Sequence, residues 1–167
     1  MKISRIQSIS FNGKPNNYLK IDETVSRSAQ PKKEDFKWLR EQGVTDVFNF
    51  RTMTVSGVDF DEKKEVERLG MRYHNIPSIT KEPKEENVDR FLKEIDEVKS
   101  RNGKAHIHCK AGADRTGMYA FIYKAKEGID NTVENVKEWI AHGHNKKLYP
   151  HLEEWACKFN ELHFKRV

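Results

Sequence analysis

Two cysteines, Cys109 and Cys157, are all that the 167 residues contain. That is too few for a disulfide framework or a four-cysteine metal site. No stretch approaches the roughly 20 apolar residues that cross a bilayer, which excludes stable membrane insertion. The opening Met1 to Lys14 carries Lys2, Arg5 and Lys14 but no apolar core, so no secretory leader is visible. A cytoplasmic protein is expected, with secretion left open if a leader was already removed. Repeats, low-complexity stretches and long linkers are also lacking. A single domain over 1–167 is therefore expected, with 1–16 as an irregular N-terminal extension.

Apolar residues make up 36% and charged residues 34%, and nine Phe, five Tyr and three Trp supply core anchors, which argues against disorder. The net charge is +5, from 31 Lys and Arg against 26 Asp and Glu. A basic surface favours anionic partners. Opposite signs are nevertheless interspersed, as in Lys32-Lys33-Glu34-Asp35, in the manner of solvated helix faces. With no arginine-rich tail and no basic strand interleaved with aromatics, nucleic acid is not an expected partner. A monomer is expected.

The hydrophobic pattern alternates between two periods. Tyr18 to Ile21 and Thr24 to Ser26 read as short strands. Pro31 suits the first turn of a helix carrying Phe36, Trp38 and Leu39, and Gly43 suits its end. Val44 to Phe50 is a β-rich run, Asp59 to Leu69 a helix, and Met71 to Ile76 a strand halted by Pro77. Residues 78–85 read as a loop. Val88, Phe91, Leu92, Ile95 and Val98 mark a helix over 86–100, and Ala105 to His108 a strand. Apolar residues from Met118 to Ala125 read as a buried helix, followed by helices near Asn131–Ala141 and His151–Phe164. Strands alternating with helices predict a three-layer α/β/α domain around a mostly parallel sheet.

Chemistry concentrates in His106-Ile107-His108-Cys109-Lys110-Ala111-Gly112-Ala113-Asp114-Arg115-Thr116-Gly117. A cysteine at the end of a strand, followed by a glycine-containing loop and a helix, can wrap backbone N–H groups around one anion. The same field favours a thiolate, and such sites lower a cysteine pKa from about 8.5 to roughly 3.5–7.5. Arg115 can clamp two oxygens of a phosphoryl group while Cys109 attacks phosphorus. The Thr116 hydroxyl is expected to donate to the cysteine sulfur. Without these neighbours a strand-end cysteine is usually a small buried hydrophobe. Cys157, beside Leu152 and Trp155, is read that way.

His108, Cys109, Gly112, Arg115 and Thr116 match the His-Cys-x-x-Gly-x-x-Arg-Thr signature, and the chain resembles the cysteine-dependent tyrosine and dual-specificity phosphatases. Ser26-Arg27-Ser28-Ala29-Gln30-Pro31 and the short length look like their compact bacterial branch. The resemblance implies the Cys-x5-Arg phosphatase fold, phosphate binding by Lys110, Ala111, Gly112, Ala113, Asp114 and Arg115, no cofactor and no metal. In this family a loop aspartate ahead of the cysteine usually protonates the leaving group. The corresponding Pro77-Ser78-Ile79-Thr80-Lys81 has none. Glu82 is the nearest carboxylate there, and Asp114 is the preferred donor, with a loop-shaping contact as its other reading. Lys110 directly after the cysteine resembles the opening of a 3-phosphoinositide phosphatase loop.

Arg27 and Arg51 follow predicted strands and are candidates, with Glu82, for the cleft rim. His106 and His108 share a strand face. His108 is read as a group hydrogen-bonding near Cys109, while His142 and His144 have no identifiable partner. The expected activity is hydrolysis of phosphomonoesters through a cysteinyl-phosphate. Phosphorylated protein is the first substrate class, and phosphoinositides or inositol phosphates the alternative. A rhodanese-like sulfurtransferase and a catalytically dead phosphate-binding module are the rivals.

Overall fold

The alternating pattern becomes one five-stranded sheet in the computed structural model, which describes residues 13–164. The start of the expected N-terminal extension, residues 1–12, lies outside that range. Strands β1 (Leu19–Lys20), β2 (Val25–Ser28), β3 (Asp46–Asn49), β4 (Arg72–Asn75) and β5 (Ala105–His108) lie in the order β1-β2-β5-β3-β4. Only β1 runs antiparallel to its neighbour. The other pairings are parallel, as Ser28 opposite His108 and Asn49 opposite His108 illustrate.

Among the described residues there are six helices: α1 (Lys33–Glu41), α2 (Glu62–Arg68), α3 (Glu85–Ser100), α4 (Asp114–Glu127), α5 (Thr132–Ala141) and α6 (Pro150–His163). Neighbouring residues of β3 show why three layers form. Val47 packs with Phe36 and Leu39 of α1 and Val66 of α2, whereas Phe48 points the other way, to Phe91 and Ile95 of α3 and to α4. Both faces of β3 carry apolar side chains, so each needs a helical layer.

Most expected elements stand within a few residues. Three differ. Strand β2 continues past Ser26 through Arg27 and Ser28, because the ladder with β5 runs on to His108. Helix α4 starts at Asp114 rather than near Met118, so Arg115 and Thr116 lie in its first turn. The 78–85 loop contains an isolated antiparallel bridge between Ile79 and Glu82. Cys157 is half-buried rather than fully in the core.

Chain order places the reactive segment. The sheet runs outward from β5 in both directions, to β2 on one side and β3 on the other. In an open α/β sheet the crevice beyond the carboxyl ends of such strands is where ligands gather. Cys109 follows β5 directly into it.

Candidate active site

Residues 109–113 leave the central strand and turn into α4. Each of their five carbonyl groups is taken by a donor from elsewhere. Cys109 O lies 3.2 Å from His108 Nδ1, and Lys110 O accepts from the Gln30 N–H at 3.0 Å. Ala111 O accepts from Asn17 Nδ2 at 3.2 Å, Gly112 O from Arg27 Nη2 at 2.7 Å, and Ala113 O from Trp139 Nε1 at 3.1 Å. Among the described residues, the backbone N–H groups of Lys110, Ala111, Gly112 and Ala113 have no protein acceptor. Peptide planes pulled outward by their oxygens leave their N–H groups on the concave side. That is the construction of an anion cradle.

The turn needs glycine at one point. Gly112 has φ +69°, and a Cβ there would sit 2.5 Å from the backbone of Ser28 and Ala29. β2 therefore lies against the loop closely enough for Arg27 to reach over it. Asn17 also sits at positive φ (57°), which asparagine tolerates, and its amide spans the loop and the carbonyl of His142.

Cys109 is 2% exposed. Arg115, half-buried in the first turn of α4, points Nη1 at the carbonyls of Phe50 and Ser78, both at 3.4 Å. Those carbonyls follow β3 and β4, so three strand ends converge on one guanidinium. Tyr119 steadies the same corner. Its ring stacks on Phe50 at 3.8 Å, and its hydroxyl lies 2.6 Å from Ser78 Oγ, with burial pushing its pKa up to about 12.

Behind the nucleophile lies a buried pair. His108 Nε2 is 2.7 Å from Glu62 Oε1, and both side chains are at most 2% exposed. Burial raises the Glu62 pKa, but the charge and hydrogen bond of His108, the Gln30 amide and the Arg51 charge outweigh it and hold the carboxyl below the usual range. His106 is different. Its two nitrogens meet Ser26 Oγ and Ser28 Oγ at 2.8 and 2.7 Å, and burial together with the nearby His108 drives its pKa far below the ordinary value.

Several expectations need correction. Arg27 is not on the cleft rim: it is 1% exposed beneath the loop, because β2 continues through it. Thr116 does not donate to the cysteine sulfur, since its Oγ1 is buried without a hydrogen-bond partner among the described residues. Asp114 is not poised as a proton donor. Its Oδ1 accepts from His144 Nδ1 at 2.7 Å and from the Asn145 N–H at 2.9 Å. Burial raises its pKa, but these bonds and the His144 and Arg115 charges outweigh burial and keep the carboxyl low. Glu82 is exposed, in the Ile79–Glu82 bridge.

Both orphaned histidines have partners, His144 with Asp114 and His142 with Asn17 Oδ1 at 2.7 Å. Glu62, Asn17, Gln30 and Trp139 were not singled out from the sequence. Only Asn16-Asn17, a turn dipeptide, carried a local signal. Arg51 is 4% exposed and lines a cavity of about 620 Å³ with Lys110, Lys32 and Lys33.

A family model described as PTP-NADK, a DSP-PTPase phosphatase fused to NAD+ kinase, matches residues 1–152. No curated protein matches the chain. Among solved structures, a DUF442 phosphatase from Shewanella putrefaciens superposes with a TM-score of 0.77 at 24% identity, covering 98% of this chain and 100% of its own. TpbA of P. aeruginosa, solved in complex with phosphotyrosine, gives 0.71 at 17% identity, with 90% and 91% covered. The core catalytic domain of the PP-IP phosphatase SIW14 of S. cerevisiae gives 0.65 at 15%, with 92% and 98% covered. At these identities the likeness is one of fold.

Proposed function

The chain belongs to the DSP-PTPase phosphatase family whose model spans residues 1–152, and from that membership we propose that it hydrolyses phosphomonoesters with Cys109 as the nucleophile. The observation that carries the proposal is the loop from Cys109 to Ala113. All five of its carbonyls are engaged by donors outside the loop, and the N–H groups of residues 110–113 have no acceptor among the described residues, which leaves them free for an anion.

The reaction divides into two displacements. The Cys109 thiolate attacks phosphorus, the S–P bond forms, and the P–O bond to the leaving group breaks. The leaving oxygen keeps that electron pair and takes a proton from solvent water. Water then attacks phosphorus, the S–P bond breaks, and inorganic phosphate departs as the thiolate returns. The loop N–H groups and the Arg115 guanidinium bind the equatorial oxygens, where charge concentrates in both transition states. With its carboxyl held low, Asp114 fixes the His144–Asn145 segment against the loop and supplies no proton. Good leaving groups, such as the phenoxide of phosphotyrosine, need little protonation. Phosphotyrosine in protein is therefore the first substrate class.

A second reading, inositol phosphates, rests on exposed Lys110 directly after the nucleophile. The decisive experiment is Cys109→Ser with p-nitrophenyl phosphate. Turnover by the wild type and its abolition in a variant of unchanged far-UV circular dichroism are expected. Retained turnover in the variant would remove Cys109 from the mechanism. Vanadate binding without any phosphate release by the wild type would leave only a phosphate-binding module, and thiosulfate turnover would favour a sulfurtransferase.

A further inference from the structure

Beside the phosphate loop lies the cavity of about 620 Å³ walled by the start of α1 and by the segment from Arg51 to Phe60. Four cations line it, Lys32, Lys33, Arg51 and Lys110, against two carboxylates, Glu34 and Asp59. Arg51 is the most buried of the four. It is 4% exposed, yet among the described residues its guanidinium hydrogen-bonds only neutral oxygens, Gln30 Oε1 at 2.6 Å and the carbonyl of Ser56. Arg51 helps hold the Glu62 carboxyl low, but that carboxylate is already engaged with His108. Among the described residues, none of the four cations forms an ion pair with a carboxylate. With Glu62 shared with His108, the buried guanidinium keeps a charge that is only partly balanced, and an anion in the cavity would complete it. Gln30 holds it in place by bonding both Arg51 and Glu62.

We propose that this cavity is a second anion subsite, which takes a phosphate group on the same small polyol whose other phosphate is being hydrolysed at Cys109. The proposal rests on the phosphatase reading, takes its second substrate class, and narrows inositol phosphates to bisphosphorylated polyols. Lys110 connects the two positions, since it belongs to the phosphate loop and also lines the cavity. The volume falls within the roughly 300–1,000 Å³ usual for small-molecule sites. Arginine suits the role because its planar fork matches two phosphate oxygens at once.

The test compares inositol 1-phosphate with inositol 1,4-bisphosphate, using p-nitrophenyl phosphate as the reference, on the wild type and a K32Q/K33Q double variant. The wild type is expected to favour the bisphosphate over the monophosphate in kcat/KM by at least about tenfold. The double variant is expected to bring that ratio close to one. Vesicles carrying phosphatidylinositol 4-phosphate distinguish a lipid source of the same headgroup from a free one. The inference is overturned if p-nitrophenyl phosphate turns over while the bisphosphate shows no preference, or if the preference survives in the double variant. Higher kcat/KM for a doubly phosphorylated peptide than for inositol 1,4-bisphosphate would also overturn it. Should p-nitrophenyl phosphate not turn over at all, the hydrolase reading fails. Calorimetry of the same inositol pair on Cys109→Ser, with and without the two lysine changes, then still decides the subsite.

Discussion

Arg27 reaches from strand β2 to donate from Nη2 to the carbonyl oxygen of Gly112 at 2.7 Å, with 1% of its surface exposed. Its Nη1 lies 3.9 Å from Glu138 on α5, and its Nε is buried without a hydrogen-bond partner among the described residues. Burial lowers its pKa, against the opposing charges of Glu138 and Cys109. The guanidinium therefore does two things at once. It pulls a loop carbonyl away from the cradle, and it places a positive charge behind the nucleophile.

Arg27→Met should lower kcat/KM for an aryl phosphate by about 10–100-fold. A hydrogen bond from a charged donor is worth about 1.5–3 kcal/mol, and each 1.36 kcal/mol of barrier is tenfold in rate. Orthovanadate inhibition should weaken in parallel, because the ground-state anion and the transition state use the same N–H groups. Arg27→Lys should recover part of both. Unchanged kinetics and vanadate inhibition in the Met variant would show that the loop keeps its shape without this brace.

Gly112→Ala tests the same loop by sterics. The new Cβ would need to sit 2.5 Å from the backbone of Ser28 and Ala29, and φ +69° is disfavoured for alanine by about 1–2 kcal/mol in any case. Gly128→Ala is the matched control. It shares a φ of +68° but has nothing within 4 Å of its Cβ. The control should lose roughly 1 kcal/mol of stability in urea unfolding, the usual cost of replacing a glycine at such a cap. The Gly112 variant should lose clearly more, and with it most activity. Equal losses would mean that β2 is free to move away from the loop.

These two positions show what could and could not be read in the sequence. Cys109, Gly112 and Arg115 lie within seven consecutive residues, and the strand before and helix after them follow from local periodicity. The outward donors are remote. Asn17 is 94 residues from Ala111, Arg27 is 85 from Gly112, and Trp139 is 26 from Ala113. Nothing local in Trp139 distinguishes a core anchor from an indole aimed at a loop carbonyl. Arg27 was misplaced for a related reason. An arginine at the end of a short, mostly polar strand reads as exposed, and only the β2–β5 register buries it. The two readings of Asp114 could not be separated locally, because its partners, His144 and Asn145, lie about 30 residues on, beyond α5.

Asp114→Asn distinguishes loop shaping from acid catalysis. A proton donor matters most for poor leaving groups, so losing it slows alkyl phosphates more than aryl phosphates. The structure predicts no such difference. The amide cannot accept from His144 and Asn145 with the strength of a carboxylate, so the loop loosens for every substrate. Equal losses on p-nitrophenyl phosphate and on a simple alkyl phosphate are expected, of about tenfold each, for a bond of roughly 1.4 kcal/mol. A deficit confined to the alkyl substrate would restore Asp114 as the acid.

His106 makes stability depend on pH in a range where the carboxylates no longer titrate. It is neutral in the folded chain, between Ser26 and Ser28, with its pKa driven far below 6.5 by burial and by His108. In the unfolded chain it titrates near 6.5. Below that pH the unfolded state binds a proton that the folded state refuses, so stability falls as pH falls. The slope approaches about 1.4 kcal/mol per pH unit until the folded pKa is reached. His142, also lowered by burial and by Arg27, adds to the same trend. Asp46, Glu62 and Asp114 have the same sign but act lower, because stability from a lowered carboxyl is lost only as pH drops below about 4. Urea unfolding between pH 7.5 and 5 should therefore show a loss that His106→Gln makes shallower. The glutamine can still meet one serine hydroxyl, while its missing ring contacts lower stability by a similar amount at every pH. A variant with the wild-type slope would mean that another group carries the titration.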